Sequence, residues 1–305
     1  KQADFLTYQL PFRYDNKASS PRFTRYLDEV LPDRDMQQLL AEFVGYVFVN
    51  TSTLKLEKAL ILLGPGGNGK SVFFEIVNAL LGNENVSTYT LQSLTDKSGY
   101  YRAKLANRLV NYASEINGSM DTALFKQLVS GEPVEARLPY GEPFTLTDYA
   151  KLIFNCNELP TDVEHTNAFF RRFMIVPFDK TIPEDHQDKE LAAKIIRNEL
   201  SGVFNWVLDG LQRLLKQRGF TSCETVEQQN EKYRMESDSV LKFLNESEYV
   251  KSIDFYVRLS KIFREYKGFS GEAGYYPVGT SKFKTRLENS RIKVMRKSVG
   301  NVVYL

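Results

Sequence analysis

The chain has 305 residues, 42% of them hydrophobic and 26% charged, with a net charge of +2. That is enough for two domains, or for one large domain with appendages, and for a sizeable core. No run approaches the ~18 uninterrupted apolar residues of a membrane-crossing helix, and no secretory leader opens the sequence. Lys1 in place of Met suggests a fragment or a processed chain. Cys156 and Cys223 are the only cysteines, and His165 and His186 the only histidines. This composition argues against a cysteine-rich zinc site or a disulfide framework and favours a cytosolic, reducing setting. A metal held by oxygen ligands and phosphate stays open.

Residues 1–22 are polar, carry Pro11 and Pro21, and read as an irregular lead-in. From Pro21 to about Val49 two helical patterns are broken near Pro32, and Met36, Leu39, Leu40, Phe43, Val44 and Val47 form one apolar stripe. Residues 1–55 are thus a helical prologue. Four short apolar runs follow: Ala59–Leu63, Leu109–Ala113, Leu152–Phe154 and Phe173–Phe178. Separated by helix- and turn-like stretches, they predict buried strands of a mostly parallel sheet and an α/β core over 56–220. Between Val134 and Leu146, two short arms flank Pro139-Tyr140-Gly141 and predict an inserted hairpin. Asp188–Arg218 is a long helical pattern with Leu191, Ile195, Leu208, Leu211 and Leu215 on its apolar face and Gly219 as its C-cap.

Residues 221–236 read as a linker or a solvated helix. In 237–305, helices are predicted around Ser239–Asn245 and Leu259–Tyr266, then a Gly-rich loop over 268–279. A basic helix over Ser281–Asn289 and two short strands, Lys293–Arg296 and Val302–Leu305, complete the chain. Three helices and a hairpin is the order of a winged-helix module, a helix-turn-helix variant that lays its third helix in the major groove. Residues 237–305 hold thirteen Lys/Arg against seven Asp/Glu, so the preceding residues are net acidic. Lys282, Lys284 and Arg286 on the third helix, with Arg291 beside it, are the candidate DNA contacts. A solvated basic face, or a contact with another subunit or partner, is the other reading.

The strongest chemical signal is Gly64-Pro65-Gly66-Gly67-Asn68-Gly69-Lys70-Ser71, a full match to G-x-x-x-x-G-K-[ST]. Glycines let the backbone curl so that its N–H groups face phosphate oxygens, and a helix starting near Lys70 adds its positive end. Lys70 is expected on the β- and γ-phosphates and Ser71 on Mg²⁺. Glu115, at the end of the Leu109–Ala113 run, is expected to polarise the attacking water or to help hold Mg²⁺. It stands alone, because Ser114 occupies the place where many such enzymes have a second acid. Asn157, after the third run, is placed to sense the γ-phosphate, or else forms a turn before Pro160. Arg171 and Arg172 precede the fourth run, where two cations are not expected to be core. One of them could complete a neighbouring subunit's site as an arginine finger, the other reading being a salt bridge at a strand end.

In this order the landmarks resemble the superfamily 3 helicases of small viruses, phages and plasmids, and most closely the phage/plasmid primase–helicase family related to the poxvirus triphosphatase–primase. The Phe125-Lys126-Gln127-Leu128-Val129-Ser130-Gly131-Glu132-Pro133 block and the hairpin after it are the most diagnostic part. The resemblance implies an AAA+-like P-loop ATPase that uses ATP and Mg²⁺ and assembles as a hexameric ring with nucleotide between subunits. It also implies translocation 3′ to 5′ on single-stranded and forked DNA. Lys70, Ser71, Glu115 and Asn157 match the family's cis residues, Arg172 fits its finger position, and the Val134–Leu146 hairpin matches its pore loop. The tip departs from the family in lacking a basic residue; Arg137 on the ascending arm and Tyr140 at the tip are the candidates for DNA. Such enzymes often carry a primase-polymerase module upstream, and a phage-encoded chain would work in the host cytoplasm. The competing functions are an ATP-dependent DNA-binding switch or loader that does not unwind, and a P-loop kinase of a small metabolite, for which a hairpin insert and a basic tail have no use.

Overall fold

The computed structural model describes residues 8–114, 116, 120–160, 163–272 and 277–305. The chain divides into two compact units, Lys1–Asn230 and Glu231–Leu305.

The first unit opens with α1 (Pro21–Val30) and α2 (Arg34–Tyr46). The predicted stripe from Met36 to Val47 is buried throughout. Ser20 makes no side-chain cap on α1. Glu199 accepts hydrogen bonds from the Arg22 and Phe23 backbone N–H groups instead, at 3.0 and 3.1 Å. A carboxylate facing the first turn satisfies orphan donors and meets the positive end of the helix dipole.

β1 (Ala59–Leu63) leads through the glycine loop into α3 (Lys70–Leu81). β2 (Val86–Ser87), the short helices α4 (Leu91–Leu94) and α5 (Tyr100–Ala103), and β3 (Val110–Ala113) follow. α6 (Thr122–Ser130) ends at Gly131 and is succeeded by the hairpin strands β4 (Val134–Arg137) and β5 (Pro143–Leu146). β6 (Lys151–Cys156), α7 (Asn167–Phe170) and β7 (Phe173–Pro177) complete the sheet strands. The order is β2-β3-β6-β1-β7 and every neighbouring pair is parallel. Helices cover strands buried on both faces, which is why the strands read as continuous apolar runs. The two-residue edge strand β2 is too short to leave a periodic signal and was not predicted.

α8 (Leu191–Gln217) is the long helix expected from the sequence, with two corrections. Its buried side includes Ile195, Val203, Val207 and Leu214, whereas Leu215 is exposed. Its C-cap in left-handed conformation is Arg218, at φ 53°, in place of Gly219. The prologue packs on this helix and is locked to it by Glu42, whose fully buried carboxylate accepts from Arg213 Nε at 2.8 Å and Thr221 N at 2.7 Å. α9 (Glu224–Ser237) forms where a linker or solvated helix was expected, and the first unit ends within it.

The second unit contains α10 (Ser239–Glu246), β8 (Val257–Arg258), α11 (Leu259–Glu272) and α12 (Thr280–Asn289). β9 (Val294–Lys297) and β10 (Gly300–Val303) follow, and the three strands pair in the order β8-β10-β9. α11 runs through Gly268 and Gly271, so the expected loop over 268–279 starts later than predicted. Its apolar positions Ile262 and Tyr266 continue into a packed face, and that burial outweighs the helix cost of glycine, about 1 kcal/mol each. Val240, Phe243, Ile262, Tyr266, Phe283, Leu287 and Val303 make the core of this unit. Among the described residues, no helix is long and apolar enough to cross a membrane.

Candidate functional site

The glycine loop sits at the C-terminal end of β1, the central position between β6 and β7. Leu63 pairs with Cys156 and Pro177, and the pairing continues past the strand ends, with Gly64 N donating to Cys156 O at 3.0 Å and Phe178 N to Leu63 O at 2.6 Å. Asn68 is buried and its Nδ2 donates to Phe178 O at 2.7 Å, while Ile182 N donates to Gly67 O at 2.9 Å. The loop is thus clamped from one side by the segment leaving β7.

Two glycines are demanded by this geometry. A Cβ on Gly64 would lie 2.0 Å from Asn68 Nδ2 and 2.5 Å from Phe178 O. Gly69 adopts φ +87°, and its absent Cβ leaves space for Tyr26 and Val30 of α1. Tyr26 Oη also donates to Gly69 O at 2.8 Å. Burial raises the Tyr26 phenol far above its ordinary value, so it remains a donor.

Lys70 starts α3 and is buried. Its Nζ donates to Gly64 O at 2.6 Å and to Asn68 Oδ1 at 2.9 Å. Burial holds its pKa below the ordinary lysine value, and a Cys156 charge would only partly oppose the shift. An ammonium held by two neutral oxygens gains by meeting phosphate oxygens, where its hydrogen bonds become charge-assisted on both sides. Ser71 is exposed on the next helical residue. Pro65 and Gly66 form the exposed crest of the loop.

Asn157 is exposed one residue beyond β6, next to the position where Gly64 joins that strand's carbonyl. β3 ends on the same side of the sheet, since Ala113 pairs with Phe154, and Ser114 is exposed there. Glu115 lies outside the described residues.

The two arginines lie at the other end of the sheet. Ala59 N donates to Arg172 O at 2.8 Å, so Arg172 stands at the N-terminal end of β1 and β7. Strands of five residues separate it from the glycine loop by about 16 Å at the usual rise. Neither arginine was expected to be core, and Arg172 corrects that expectation. It is buried, with Nε and Nη2 donating to Ser130 Oγ at 3.2 and 2.8 Å and Nη1 to Ala168 O. Arg171 has the exposed side chain, at 53%, and pairs with Glu57 at 2.6 Å. Burial would raise the Glu57 carboxyl, but a Lys55 hydrogen bond and the charges of Arg171 and Arg172 outweigh it and hold it below the usual range. Lys58 and Lys151 are at the same end. Lys58 Nζ donates to Arg171 O at 2.6 Å and Lys151 Nζ to Thr51 Oγ1 at 2.5 Å. Burial depresses both, Lys151 to about 8 despite an opposing Asp148.

In the hairpin, Tyr140 is fully exposed at φ 61°, with Leu138 and Phe144 exposed beside it. Arg137 Nε donates to Gly141 O at 2.8 Å, which ties part of its guanidinium to the turn. Lys126 pairs with Glu164 at 2.8 Å, and Thr166 Oγ1 donates to the same carboxylate at 2.7 Å.

In the second unit, Arg286 departs from its predicted role. It pairs with Asp238 at 3.1 Å with only 16% of its side chain exposed, and Asp238 caps α10 by accepting from Val240 N and Leu241 N. It supports the fold of the unit. Lys284 lies 3.7 Å from Glu288, one helical turn on. Lys282 and Arg291 are exposed, Arg291 at φ 58°.

Tyr26, Ser130, Glu57, Lys58, Lys151 and Glu164 escaped the sequence reading. Each acts through a partner distant in sequence, and although Ser130 lies in the Phe125–Pro133 block, nothing local marks it as the partner of Arg172.

A glycine loop joining a central parallel strand to a helix defines a P-loop-like α/β domain. Residues 62–172 match a family model described as a family of unknown function, DUF5906. The chain is 26% identical over 161 residues to a protein named "Putative helicase L207/L206" from Acanthamoeba polyphaga mimivirus, covering 50% of this chain and 16% of that protein. It is 24% identical over 294 residues to "Putative helicase 121R" of Invertebrate iridescent virus 3, covering 82% and 30%. The chain therefore spans less than a third of either relative. The fold is similar to the apo A form of the NrS-1 C-terminal region, with a TM-score of 0.59 at 14% identity over 96% of this chain and 78% of that one.

Proposed function

We propose that this chain is the ATP-hydrolysing helicase module of a DNA replication protein, of the superfamily 3 type, translocating on single-stranded DNA. The observation that carries the reading is Lys70, an ammonium held by two neutral oxygens in a clamped glycine loop at the end of the central parallel strand. The two relatives named as helicases support the type of work.

In this reading, Lys70 and the loop N–H groups bind the β- and γ-phosphates, and Asn157 faces the γ-phosphate. Ser71 and Glu115 would hold Mg²⁺, which would supply charge neutralisation to the phosphates, and Glu115 would also orient water. The separation of the two sheet ends supports a reading in which the arginines of one copy serve the loop of another in a hexameric ring. Exposure favours Arg171 as the residue that reaches across, with Arg172 fixing the strand end behind it. The exposed tip of the hairpin, with Tyr140 and Arg137, contacts the DNA. The second unit is a winged helix that adds affinity for nucleic acid.

Lys70→Ala is the direct test. DNA-stimulated ATP turnover and unwinding of a forked duplex should each fall at least about a hundredfold in a chain that far-ultraviolet circular dichroism shows to be folded, because transition-state charge loses its main side-chain partner. Unwinding at the parental rate would overturn the proposal.

A further inference from the structure

The second unit presents two basic surfaces, and their side chains are arranged differently. On α12, Arg286 is committed to Asp238 and Lys284 lies beside Glu288. The other surface is the outer face of the β8-β10-β9 sheet. Val294 and Val303 of adjacent strands point into the core. Alternation along the strands then puts Tyr256, Arg258, Lys293, Met295 and Lys297 on the opposite face, together with Val302 and Tyr304, which are buried there.

This face is built of rings and cations. The Tyr256 and Tyr304 rings are 5.9 Å apart. Lys297 Nζ lies 3.8 Å from the Tyr256 ring centre and 5.3 Å from that of Tyr304, and Lys293 Nζ lies 5.1 Å from the latter. The segment leading into β8 adds Ile253 and Phe255, which are 86% and 77% exposed. Grouped exposure of large apolar side chains marks an interaction surface, unlike single scattered ones. On this face and the segment leading into it, the acids are Glu248 and Asp254, against Lys251, Arg258, Lys293 and Lys297. A polyanion that also carries flat apolar surfaces satisfies both features.

We propose that this sheet face is a binding site for single-stranded nucleic acid, with bases stacking on Phe255 and Tyr256 and phosphates paired to Lys293 and Lys297. A duplex keeps its base faces stacked and offers only edges, so exposed rings that stack select unpaired bases. Lys297 caps one face of Tyr256 in the free protein. When a base takes that place, the ammonium exchanges a cation–π contact for a phosphate, and the cation–π contact it loses at an exposed site is a weak one. The proposal deepens the nucleic-acid reading given above and rests on it.

The test is equilibrium binding of the full chain, without nucleotide, to fluorescent oligothymidine of 20 nucleotides and to a 20-base-pair duplex, over a range of salt. Phe255→Ala with Tyr256→Ala should weaken oligothymidine binding about tenfold or more and leave the salt slope unchanged, since stacking releases no counterions. Lys293→Gln with Lys297→Gln should weaken it and lower the slope by about one to two. Tyr256→Phe should bind as the parent does. Far-ultraviolet circular dichroism and basal ATP turnover should be unchanged in all of them. Parental binding by the aromatic double variant would overturn the proposal and make the face a protein contact. A loss confined to duplex, or one reproduced by Lys282→Gln with Arg291→Gln, would equally overturn it in favour of α12. Because the ATP site takes no part in this assay, a chain that fails to hydrolyse ATP but loses oligothymidine with the rings would refute the motor reading and keep this one.

Discussion

The two ends of the parallel sheet use opposite strategies toward an anion. At the C-terminal end the surface offered is backbone: glycines, a helix start, and one lysine held by neutral oxygens. At the N-terminal end it is side chains: Arg171, Arg172, Lys58 and Lys151, with Glu57 between the arginines. The first end offers shape and is nearly useless if its curvature changes. The second offers charge, part of which is already spent on holding the strand ends together. A short central sheet thus separates the glycine loop from a set of cations.

The sharpest way to break this contrast is at the two arginines. Arg172→Ala should lower stability by about 3 kcal/mol, read from the urea midpoint, because Ser130 Oγ and Ala168 O lose a buried donor. Arg171→Ala should leave unfolding within about 0.5 kcal/mol of the parent, since its ion pair is at the surface, while ATP turnover falls by 10³ or more, roughly the worth of an arginine finger. Mixing Arg171→Ala with Lys70→Ala chains should restore part of the turnover. The opposite ranking of the two arginines in stability and turnover would refute the assignment.

At the cradle, Gly64→Ala should cost nucleotide affinity at least about tenfold, measured with a fluorescent ATP analogue. The new methyl must displace Asn68 or the Phe178 carbonyl. Circular dichroism checks that the unit stays folded, and parental affinity would show that the loop's curvature is not what binds.

The smallest effect concerns Lys151. Burial lets the folded chain release this proton near pH 8, below the 10.5 of the unfolded chain. Between those values the unfolded state binds more protons, so stability rises with pH across that window. Lys151→Met should flatten the rise by on the order of 2 kcal/mol in urea midpoints compared at pH 7 and pH 10. An identical pH profile would show that the amine is not desolvated.

Much of this was legible in the sequence because it is local. The glycine loop, the four long strands, the hairpin and the stripe on α2 all announce themselves within ten or fifteen residues. The edge strands β2 and β8 did not, because two residues carry no period. Glycines at 268 and 271 suggested a loop, and packing of Ile262 and Tyr266 extended a helix through them. The burial of Arg172 was illegible for a different reason: its partner, Ser130, is 42 residues away. A charged residue beside an apolar strand looks exposed until something distant is found to receive its hydrogen bonds. Arg286 misled in the same way, since Asp238 lies 48 residues before it.

The family match begins at residue 62, yet the wall behind Gly69 is made by Tyr26 and Val30, more than thirty residues earlier. The glycine loop is therefore not a portable cassette. A fragment trimmed to the matched region would retain every glycine and the lysine, and would still lack the surface that holds Gly69 in its left-handed turn. For anyone expressing a minimal version, a piece with an intact loop has to include Tyr26 and Val30.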